Sequence, residues 1–372
     1  MLGVYVHLPF CSYLCPYCDF AKWPLRATSA KRYLEALHAE METYEPAAAA
    51  TMYLGGGTPN AYDVHAIGAL LARLRTRFCG AKEVSIEINP ELVREGDFEA
   101  YRAAGVTRLS IGVQSFEAAE IRTLGRKHAA AQVEDVVAQA RRMEFESVSL
   151  DLIFAVPGQT PASWRRSLDA AIALRPDHIS AYGLTVEPGT PYAAWQAREP
   201  EAFFDDTREA ELYEIAITEL GAAGYQQYEI SNFARSGHRC AHNLNYWANG
   251  EYLGLGVGAV SYRNGIRRAN TRSLEAYLTA AADRRPIPAE AERLEGRKRA
   301  GEAIMLALRT AQGVGLREFK ERYGIDVIAD YAPIVTQFAR TGLLERVGDS
   351  VRLTQRGRFL ANDVCGAFVT FE

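Results

Sequence analysis

Residues 11–18 read Cys11-Ser12-Tyr13-Leu14-Cys15-Pro16-Tyr17-Cys18 and follow a short β-rich run, Val4–Leu8. The run predicts a strand, which places the three cysteines on the loop at its carboxyl end. Thiolates are soft ligands that suit iron–sulfur clusters, zinc or copper. Three of them on one loop can hold three corners of a four-iron cluster and leave the fourth iron open to another chelator. A structural zinc site with His7 as the fourth ligand is the alternative, but structural zinc usually takes two separated ligand pairs.

The composition is that of a globular protein, with 48% hydrophobic and 24% charged residues over 372 positions. A net charge of −4 lacks the basic excess of a nucleic-acid-binding protein, so we expect no nucleic-acid partner. The sequence shows neither a signal-peptide pattern at its start nor a run of ~20 apolar residues, which predicts a cytoplasmic protein. In that reducing compartment, six cysteines indicate metal binding or catalysis rather than disulfides.

Strand-like and helix-like segments alternate through the first two thirds of the chain. Helices are predicted near 31–44, 67–78, 117–144, 161–174 and 206–222. The predicted strands before and between them are Val4–Leu8, Thr51–Leu54, Glu83–Ile88, Arg108–Val113, Ser147–Phe154 and His178–Leu184. This alternation predicts an α/β fold with a parallel sheet, and six such units favour a partial parallel (β/α)6 barrel over a doubly wound open sheet. Gln226–Ile230 is predicted to add one more strand.

The pattern changes twice, which divides the chain into three parts. Residues 1–235 are predicted to form the barrel domain, and 236–290 a connecting region rich in glycine and aromatic residues. Residues 291–372 carry predicted helices near 296–310 and 326–341, followed by a predicted hairpin of Gly342–Glu345 and Val351–Thr354. Helices closed by a hairpin predict a smaller, helical, winged-helix-like C-terminal domain.

Polar and glycine residues stand at the carboxyl ends of the predicted strands. Gly55-Gly56-Gly57-Thr58-Pro59 follows the second strand, and its glycines allow a ligand to approach the backbone closely. Glu87, Gln114 and Asp151 lie in or at the end of the next three strands, within apolar runs. Taken singly, each is more often a structural hydrogen-bonding residue than a ligand. Together they converge on the face where barrel enzymes carry their active sites.

These motifs, in this order and spacing, resemble those of radical S-adenosylmethionine (SAM) proteins, and more narrowly those of the oxygen-independent coproporphyrinogen oxidase group. The resemblance covers essentially the whole chain. It implies a [4Fe–4S] cluster on Cys11, Cys15 and Cys18, whose open iron is chelated by the amino and carboxylate groups of SAM. It further implies electron transfer from the reduced cluster, which cleaves SAM to methionine and a 5′-deoxyadenosyl radical. The positions that match SAM-contacting residues are Gly56, Gly57, Thr58 and Glu87 for the methionine part, and Tyr5, Tyr17, Gln114, Arg126 and Asp151 elsewhere.

Within this group the chain is similar to the HemW-type haem chaperones rather than to the true oxidase. The oxidase has a further cysteine where this chain has Phe20, and it has a long segment before its cysteines. The sequence His242-Asn243-Leu244-Asn245-Tyr246-Trp247 also matches the His-Asn-x-x-Tyr-Trp signature of the chaperone branch. The resemblance implies haem binding through His242, delivery of haem to apo-proteins, and no coproporphyrinogen oxidase activity. It also suggests a homodimer, and peripheral membrane contact if the acceptors are respiratory proteins.

Two interpretations of the signature stay open at the level of sequence, a haem site and a structural role. A neutral imidazole is a good axial ligand for haem iron, and aromatic rings suit a flat apolar macrocycle. A lone histidine beside Asn, Tyr and Trp, however, is more often a structural residue. Many relatives also carry a histidine where this chain has Val260, which weakens the inference of a haem site. A zinc-stabilised, nucleic-acid-binding protein is the remaining hypothesis, and the acidic charge balance opposes it.

Overall fold

Six apolar runs form the parallel core strands that the sequence predicts. They run in parallel because each helical connection returns the chain to the end of the sheet at which the strands begin. The structure is a computed structural model that describes residues 1–370. Along the chain each core strand pairs in parallel with the next one. Most of their side chains are buried, whereas Tyr5, Tyr53 and Asp151, near the middle of their strands, stay partly exposed. These strands are β1 (Gly3–Leu8), β2 (Thr51–Gly56), β3 (Glu83–Ile88), β4 (Arg108–Gln114), β5 (Ser147–Phe154) and β6 (His178–Gly183).

Six more strands extend the sheet on both sides to twelve strands. They are β7 (Gln226–Gln227), β8 (Asn232–Ala234), β9 (Tyr252–Leu255), β10 (Val260–Arg263), β11 (Ile266–Asn270) and β12 (Ala289–Arg293). The spatial order is β7-β8-β6-β5-β4-β3-β2-β1-β9-β10-β11-β12, with β9 parallel to β1 and the other added pairs antiparallel. The sheet therefore has two edges and forms a partial barrel, not a closed one.

The helices cover this sheet and build the C-terminal part. Their bounds are Ala27–Glu42, Val64–Arg77, Asp97–Ala103, Ala118–Thr123, Ala130–Arg142, Pro161–Ala173, Pro191–Arg198, Asp206–Ala222, Ala241–Trp247, Leu274–Ala282, Gly296–Leu308, Leu316–Tyr323, Val327–Asp330, Ala332–Arg340, Gln355–Phe359 and Ala361–Thr370. Short 3-10 turns lie at Pro59–Ala61, Pro90–Leu92 and Pro200–Ala202. Among the described residues, none of the helices is long and apolar enough to cross a bilayer.

Three predicted elements differ from the observed ones. The segment 117–144 forms two helices because Gly125 adopts φ +67°, a left-handed conformation that ends the first. The predicted strand Gln226–Ile230 ends at Gln227, because the chain turns back and the Tyr228 N–H donates to the Asn232 carbonyl. The segment 326–341 is also split, since Pro333 occupies the first turn of a new helix and cannot continue the previous one.

The C-terminal residues form a second, smaller hydrophobic core around Ile304, Phe319 and Phe368. Its three-stranded sheet consists of Val314–Gly315, Ser350–Leu353 and Leu344–Val347, all antiparallel. Helices packed on a small hairpin sheet give the winged-helix-like arrangement that the sequence predicts. The domain limits at 235 and 290 stay predictions. The large sheet itself continues past residue 235, since β9 pairs with β1.

Candidate functional site

A cavity of about 370 Å³ lies at the carboxyl ends of the core strands. Parallel strands all present their carboxyl ends at the same side of a sheet, so polar residues far apart in sequence meet there. All the residues predicted for the cluster and for SAM line this cavity, with the exception of Tyr5. They are Cys11, Cys15, Tyr17, Cys18, Gly56, Gly57, Thr58, Glu87, Gln114, Arg126 and Asp151.

The three cysteines reach the cavity from a loop that is folded back on itself. Cys11 ends a short strand that pairs with Trp23–Pro24, and the Cys18 N–H donates to the Cys15 carbonyl. Burial raises the pKa of the Cys11 thiol to about 11 and also raises that of Cys15, which the nearby Arg126 guanidinium opposes. Thiols in such surroundings stay protonated until a bound metal deprotonates them.

The arrangement of these thiols fits a multi-iron cluster better than a single zinc ion. Within residues 1–370, no three side chains of His, Cys, Asp or Glu are gathered closely enough to hold one metal ion. His7, the predicted fourth zinc ligand, has both ring nitrogens engaged, by the Tyr5 hydroxyl at 3.0 Å and the Ala21 carbonyl at 2.8 Å. In a four-iron cluster each cysteine binds a different iron, so the thiolates need not converge on one point.

The glycine turn after β2 forms a close-fitting wall of the cavity. A Cβ atom on Gly57 would lie 2.6 Å from the Leu8 carbonyl oxygen, in the segment that leads into the cysteine loop. Gly56 has φ +105°, and a Cβ there would lie 2.2 Å from the His7 ring. Only glycine allows this backbone to approach β1 so closely, and both amides are hydrogen-bonded, that of Gly56 to Glu87 and that of Gly57 to the Leu8 carbonyl.

Glu87 is the buried carboxylate of the site. It accepts hydrogen bonds from the Gly56 N–H at 3.0 Å and from the Tyr53 hydroxyl at 2.9 Å. Burial nevertheless dominates and raises the pKa of Glu87 from 4.5 to about 7, with a further contribution from the Asp151 charge. A buried carboxylate of this kind favours a cationic partner, which would lower its pKa again.

This pKa predicts how the stability of the SAM-free protein depends on pH. Because the folded state binds the Glu87 proton more tightly than the unfolded state does, stability falls as the pH rises from about 4.5 to 7. We expect Glu87→Gln to raise the free energy of unfolding by about 3 kcal/mol at pH 8 and to change it little at pH 4. Urea unfolding at both pH values measures this, with Glu95→Gln on the exposed surface as the control. An equal effect of Glu87→Gln at both pH values would contradict it.

Arg126 and Asp151 complete the polar lining of the cavity. Arg126 donates to the Asn89 side-chain oxygen at 2.8 Å and to the Gly112 carbonyl at 2.6 Å. Its buried Nε atom has no hydrogen-bond partner within residues 1–370. Asp151 accepts hydrogen bonds from the Ser110 and Ser180 hydroxyls, both at 2.7 Å, and burial raises its pKa. The Nε–H group of Arg126 is therefore a free hydrogen-bond donor for a group bound in the cavity.

Tyr5 lies behind the cavity rather than in it. Its ring stacks on that of Tyr53 at 6.2 Å, and its hydroxyl is bonded to His7. It lines a second cavity of about 410 Å³. This second cavity is bounded by β1, β9, β10, β11, the segment 19–21 that follows the cysteine loop, and the helices Ala241–Trp247 and Gly296–Leu308. Phe20, which is 63% exposed, lines both cavities, so the two lie next to each other.

His242 lies at the opposite end of the core strands from the cysteine loop. The Glu83 carboxylate accepts hydrogen bonds from the first two N–H groups of the helix Ala241–Trp247. The His242 Nδ1 atom is 2.8 Å from the Thr51 hydroxyl. Glu83 and Thr51 are the first residues of β3 and β2. His242 is 1% exposed, its Nε2 is 2.9 Å from the Tyr246 hydroxyl, and burial lowers its pKa to about 3. Both ring nitrogens are therefore occupied, and haem ligation by His242 stays a prediction.

Comparison with known proteins places this geometry in a family. The sequence profile of the Radical SAM superfamily matches residues 5–171, and that of the HemN C-terminal domain matches residues 294–360. The chain is 34% identical to the heme chaperone HemW of Bacillus subtilis, with 99% of both chains covered. It is 31% identical to the heme chaperone HemW of Escherichia coli, with 99% of this chain and 98% of that protein covered. The chain belongs to the HemW family.

A solved structure supports the fold of this HemW relative over its full length. Coproporphyrinogen III oxidase (HemN) from Escherichia coli, a radical SAM enzyme, superposes with a TM-score of 0.86 at 25% sequence identity. The superposition covers 100% of this chain and 90% of that one. Membership of the radical SAM superfamily implies a [4Fe–4S] cluster and SAM. The cavity, its glycine wall and its unpartnered arginine nitrogen fit such a pair of groups.

Several residues of this HemW site escaped the sequence analysis. Tyr53 bonds to Glu87, Asn89 holds Arg126, and Tyr182 closes the far side of the cavity. Tyr53 could have been inferred, because it precedes Gly55 by two positions in a strand and so shares its face. The role of Asn89 depends on Arg126, a contact between two separate loops that no local pattern reveals.

Proposed function

We propose that the protein is a haem chaperone that binds a [4Fe–4S] cluster, SAM and haem and delivers haem to apo-proteins. The observation that carries the proposal is the second cavity, which has the size of a small-molecule site and shares Phe20 with the cysteine cavity. Tyrosine rings line it, and the arginines Arg267 and Arg272 stand around it. Such a wall suits a flat apolar macrocycle with anionic side groups. The names of the full-length relatives support the same function.

The first cavity would hold the two cofactors. Cys11, Cys15 and Cys18 would bind three irons, and the backbone of Gly56 and Gly57 with Thr58 and Glu87 would hold the methionine part of SAM. The buried Glu87 carboxylate suits the ammonium group of that part, and Arg126 suits its carboxylate. Tyr17, Gln114 and Asp151 would contact the remainder of SAM. When bound, the cluster supplies an electron to SAM, while these residues hold the pair in place.

An oxidase of the coproporphyrinogen type is the second candidate, and the full-length superposition on HemN favours it. We expect no decarboxylated porphyrinogen when the cluster-loaded protein is incubated anaerobically with coproporphyrinogen III, SAM and a one-electron reductant. The reason is Phe20, an apolar ring that stands at the junction of both cavities where the oxidase carries a cysteine. HemN under the same conditions is the positive control. Accumulation of decarboxylated product above the enzyme-free background would contradict the chaperone proposal and identify the protein as an oxidase.

Transfer of haem to an acceptor tests the proposal itself. We expect haem-loaded protein to convert apomyoglobin to its holo form faster than the same concentration of haem on serum albumin, a passive carrier. The change of the Soret band of the acceptor measures the rate. A rate no higher than that from albumin would show that haem is bound without being delivered. Homodimer formation, peripheral membrane contact and a cytoplasmic location stay predictions.

A further inference from the structure

A third cavity, of about 700 Å³, lies apart from the two cavities described above. It is larger than either of them and shares no lining residue with them. Its walls come from the end of the helix Ala27–Glu42, from β11 and from the turn that follows the helix Leu274–Ala282. The proposed function assigns no ligand to this third cavity.

Arg268, on β11, stands in the wall of the third cavity and is held there by three acceptors. Its guanidinium donates to the Ile287 carbonyl at 2.7 Å, to the Asn270 side-chain oxygen at 3.0 Å and to the Tyr44 hydroxyl at 3.4 Å. A guanidinium has five N–H groups, so two of them have no acceptor in the part of the chain that the structure describes. No carboxylate of that part lies within ion-pair distance of Arg268. Its charge is therefore fixed in position and available to an anion.

A buried polar network holds Arg268 from behind. The Asn270 side chain, 4% exposed, donates to the Glu40 carboxylate at 2.7 Å. That carboxylate also accepts hydrogen bonds from the Gly256 N–H and the Tyr277 hydroxyl, both at 2.7 Å. Burial raises the pKa of Glu40, and these three donors oppose the rise. Glu40 lines the cavity as well, but donors of the fold already occupy its oxygens, so it opposes a bound anion less than an unpaired carboxylate would.

Arg284 is the second cation of the wall, and its backbone conformation is unusual. It follows the helix Leu274–Ala282 by two positions and has φ +53°, the left-handed conformation that glycine usually occupies after a helix. Residues other than glycine in this conformation are strained, and they cluster at ligand sites. Within residues 1–370 its side chain has no hydrogen bond or ion pair. An unpaired guanidinium thus stands where glycine would fit the fold better, which indicates a role outside folding.

The other charges of the wall are compensated by neighbours. Arg285 donates to the Asp283 carboxylate at 2.8 Å. The exposed Glu42 carboxylate lies 3.9 Å from the Arg77 guanidinium. The charges left without a partner are the two guanidiniums of Arg268 and Arg284, so the third cavity favours an anion.

The remaining wall is apolar and partly aromatic. It consists of the half-buried Tyr44 ring together with Ala39, Ala281, Pro286 and Ile287. A concave, mostly apolar wall with a few fixed polar groups is typical of a small-molecule site, and the volume suits a ligand of nucleotide size. Aromatic rings in such walls stack on nucleobases, whatever the base.

We propose that the third cavity binds a nucleoside diphosphate, with its phosphates on Arg268 and Arg284 and its base against the Tyr44 ring. The planar fork of a guanidinium matches two phosphate oxygens, and two such groups match two phosphates. Binding is non-covalent, so no bond forms or breaks in the ligand. The inference is independent of the proposed haem chaperone function, because none of the residues assigned to that function lines the cavity.

Calorimetric titration of magnesium-free ADP into the cluster-loaded full chain tests the inference, with SAM at saturation to occupy the first cavity. We expect one saturable site per chain. Arg268→Gln should weaken ADP binding about tenfold or more, as loss of a charge-assisted hydrogen bond does. Tyr44→Leu should weaken the binding of ADP and leave that of inorganic pyrophosphate unchanged. Arg142→Gln, an equal change of charge at an exposed arginine without a partner in the described chain, is the control and should bind ADP like the wild type.

Arg284→Gly separates ligand binding from folding. Glycine fits the left-handed position, so the urea midpoint should rise, whereas ADP affinity should fall about tenfold. Wild-type ADP affinity in both arginine variants would overturn the inference, and so would competition between ADP and SAM, which would place ADP in the first cavity. Pyrophosphate binding as tight as that of ADP would overturn the assignment of a nucleoside. Absence of saturable ADP binding would overturn the site and leave the chaperone proposal, which haem transfer tests separately, unaffected.

Discussion

Replacing Cys15 by alanine is expected to abolish the iron–sulfur cluster. After anaerobic reconstitution, the wild type should contain about four irons and four sulfides per chain, and Cys15→Ala close to none. The reason is that the cysteine loop would supply all three thiolates of the proposed cluster. Two thiolates cannot hold a cluster whose fourth iron already lacks a protein ligand. Cys15 lies between the other two in the loop and faces the cavity beside Arg126.

The control for this experiment is Cys79→Ala. Cys79 is exposed and lies on a short strand paired with Ala47–Ala48, remote from the cysteine loop in sequence. Iron and sulfide analysis with the visible absorption spectrum measures the cluster in each variant. Stoichiometric zinc in place of iron and sulfide in the wild type, or a full cluster in Cys15→Ala, would contradict the assignment of the loop.

Replacing Gly57 by alanine is expected to have the second largest effect. The new methyl group would lie 2.6–2.9 Å from backbone atoms of Leu8 and Pro9, which cannot move aside as a flexible side chain could. Such overpacking typically costs about 1–3 kcal/mol. The displaced backbone belongs both to the proposed SAM cradle and to the approach of the cysteine loop. We therefore expect SAM affinity to fall at least about tenfold, which corresponds to only about 1.4 kcal/mol.

Gly68→Ala is the matched control for this substitution. Gly68 lies in the helix Val64–Arg77, and a Cβ there would have no atom within 4 Å. Removing a helical glycine should stabilise the protein by about 0.5–1 kcal/mol and leave SAM binding unchanged. Urea unfolding and calorimetric titration of SAM into the cluster-loaded protein measure both quantities. Wild-type SAM affinity in Gly57→Ala would show that the glycine turn does not form part of the SAM site.

Local sequence patterns were sufficient for the core strands and for most of the first cavity. Strands β1 to β6 are short, apolar and separated by helices, so each can be predicted alone. Their parallel order then places Glu87, Gln114 and Asp151 at one end without further information. The glycine turn and the cysteine loop carry strong local signals of the same kind. These residues could therefore be found from local patterns, whereas Tyr17 and Arg126 were assigned to the site only by the family resemblance. All of the binding roles remain proposals.

The features that the sequence did not reveal depend on contacts between distant segments. Strand β9 pairs with β1, although about 250 residues separate Gly3 from Tyr252, and the pairing opens the second cavity. The short helix Ala241–Trp247 is held by hydrogen bonds to the Glu83 carboxylate, which lies 158 positions before Ala241 in the sequence. The side chain of His242 therefore faces the ends of β2 and β3, and Tyr246 faces the cavity. A motif predicts which residues matter, but tertiary contacts decide which of them is accessible.

Haem binding is the step on which the proposed chaperone function depends most. An anaerobic titration of haemin into the cluster-loaded protein, followed at the Soret band, tests it most directly. We expect saturable binding of about one haem per chain, because one second cavity is present in each chain. A linear, non-saturating rise, equal to that of haemin added to an unrelated protein of the same concentration, would contradict it. The protein would then be a radical SAM protein with another substrate.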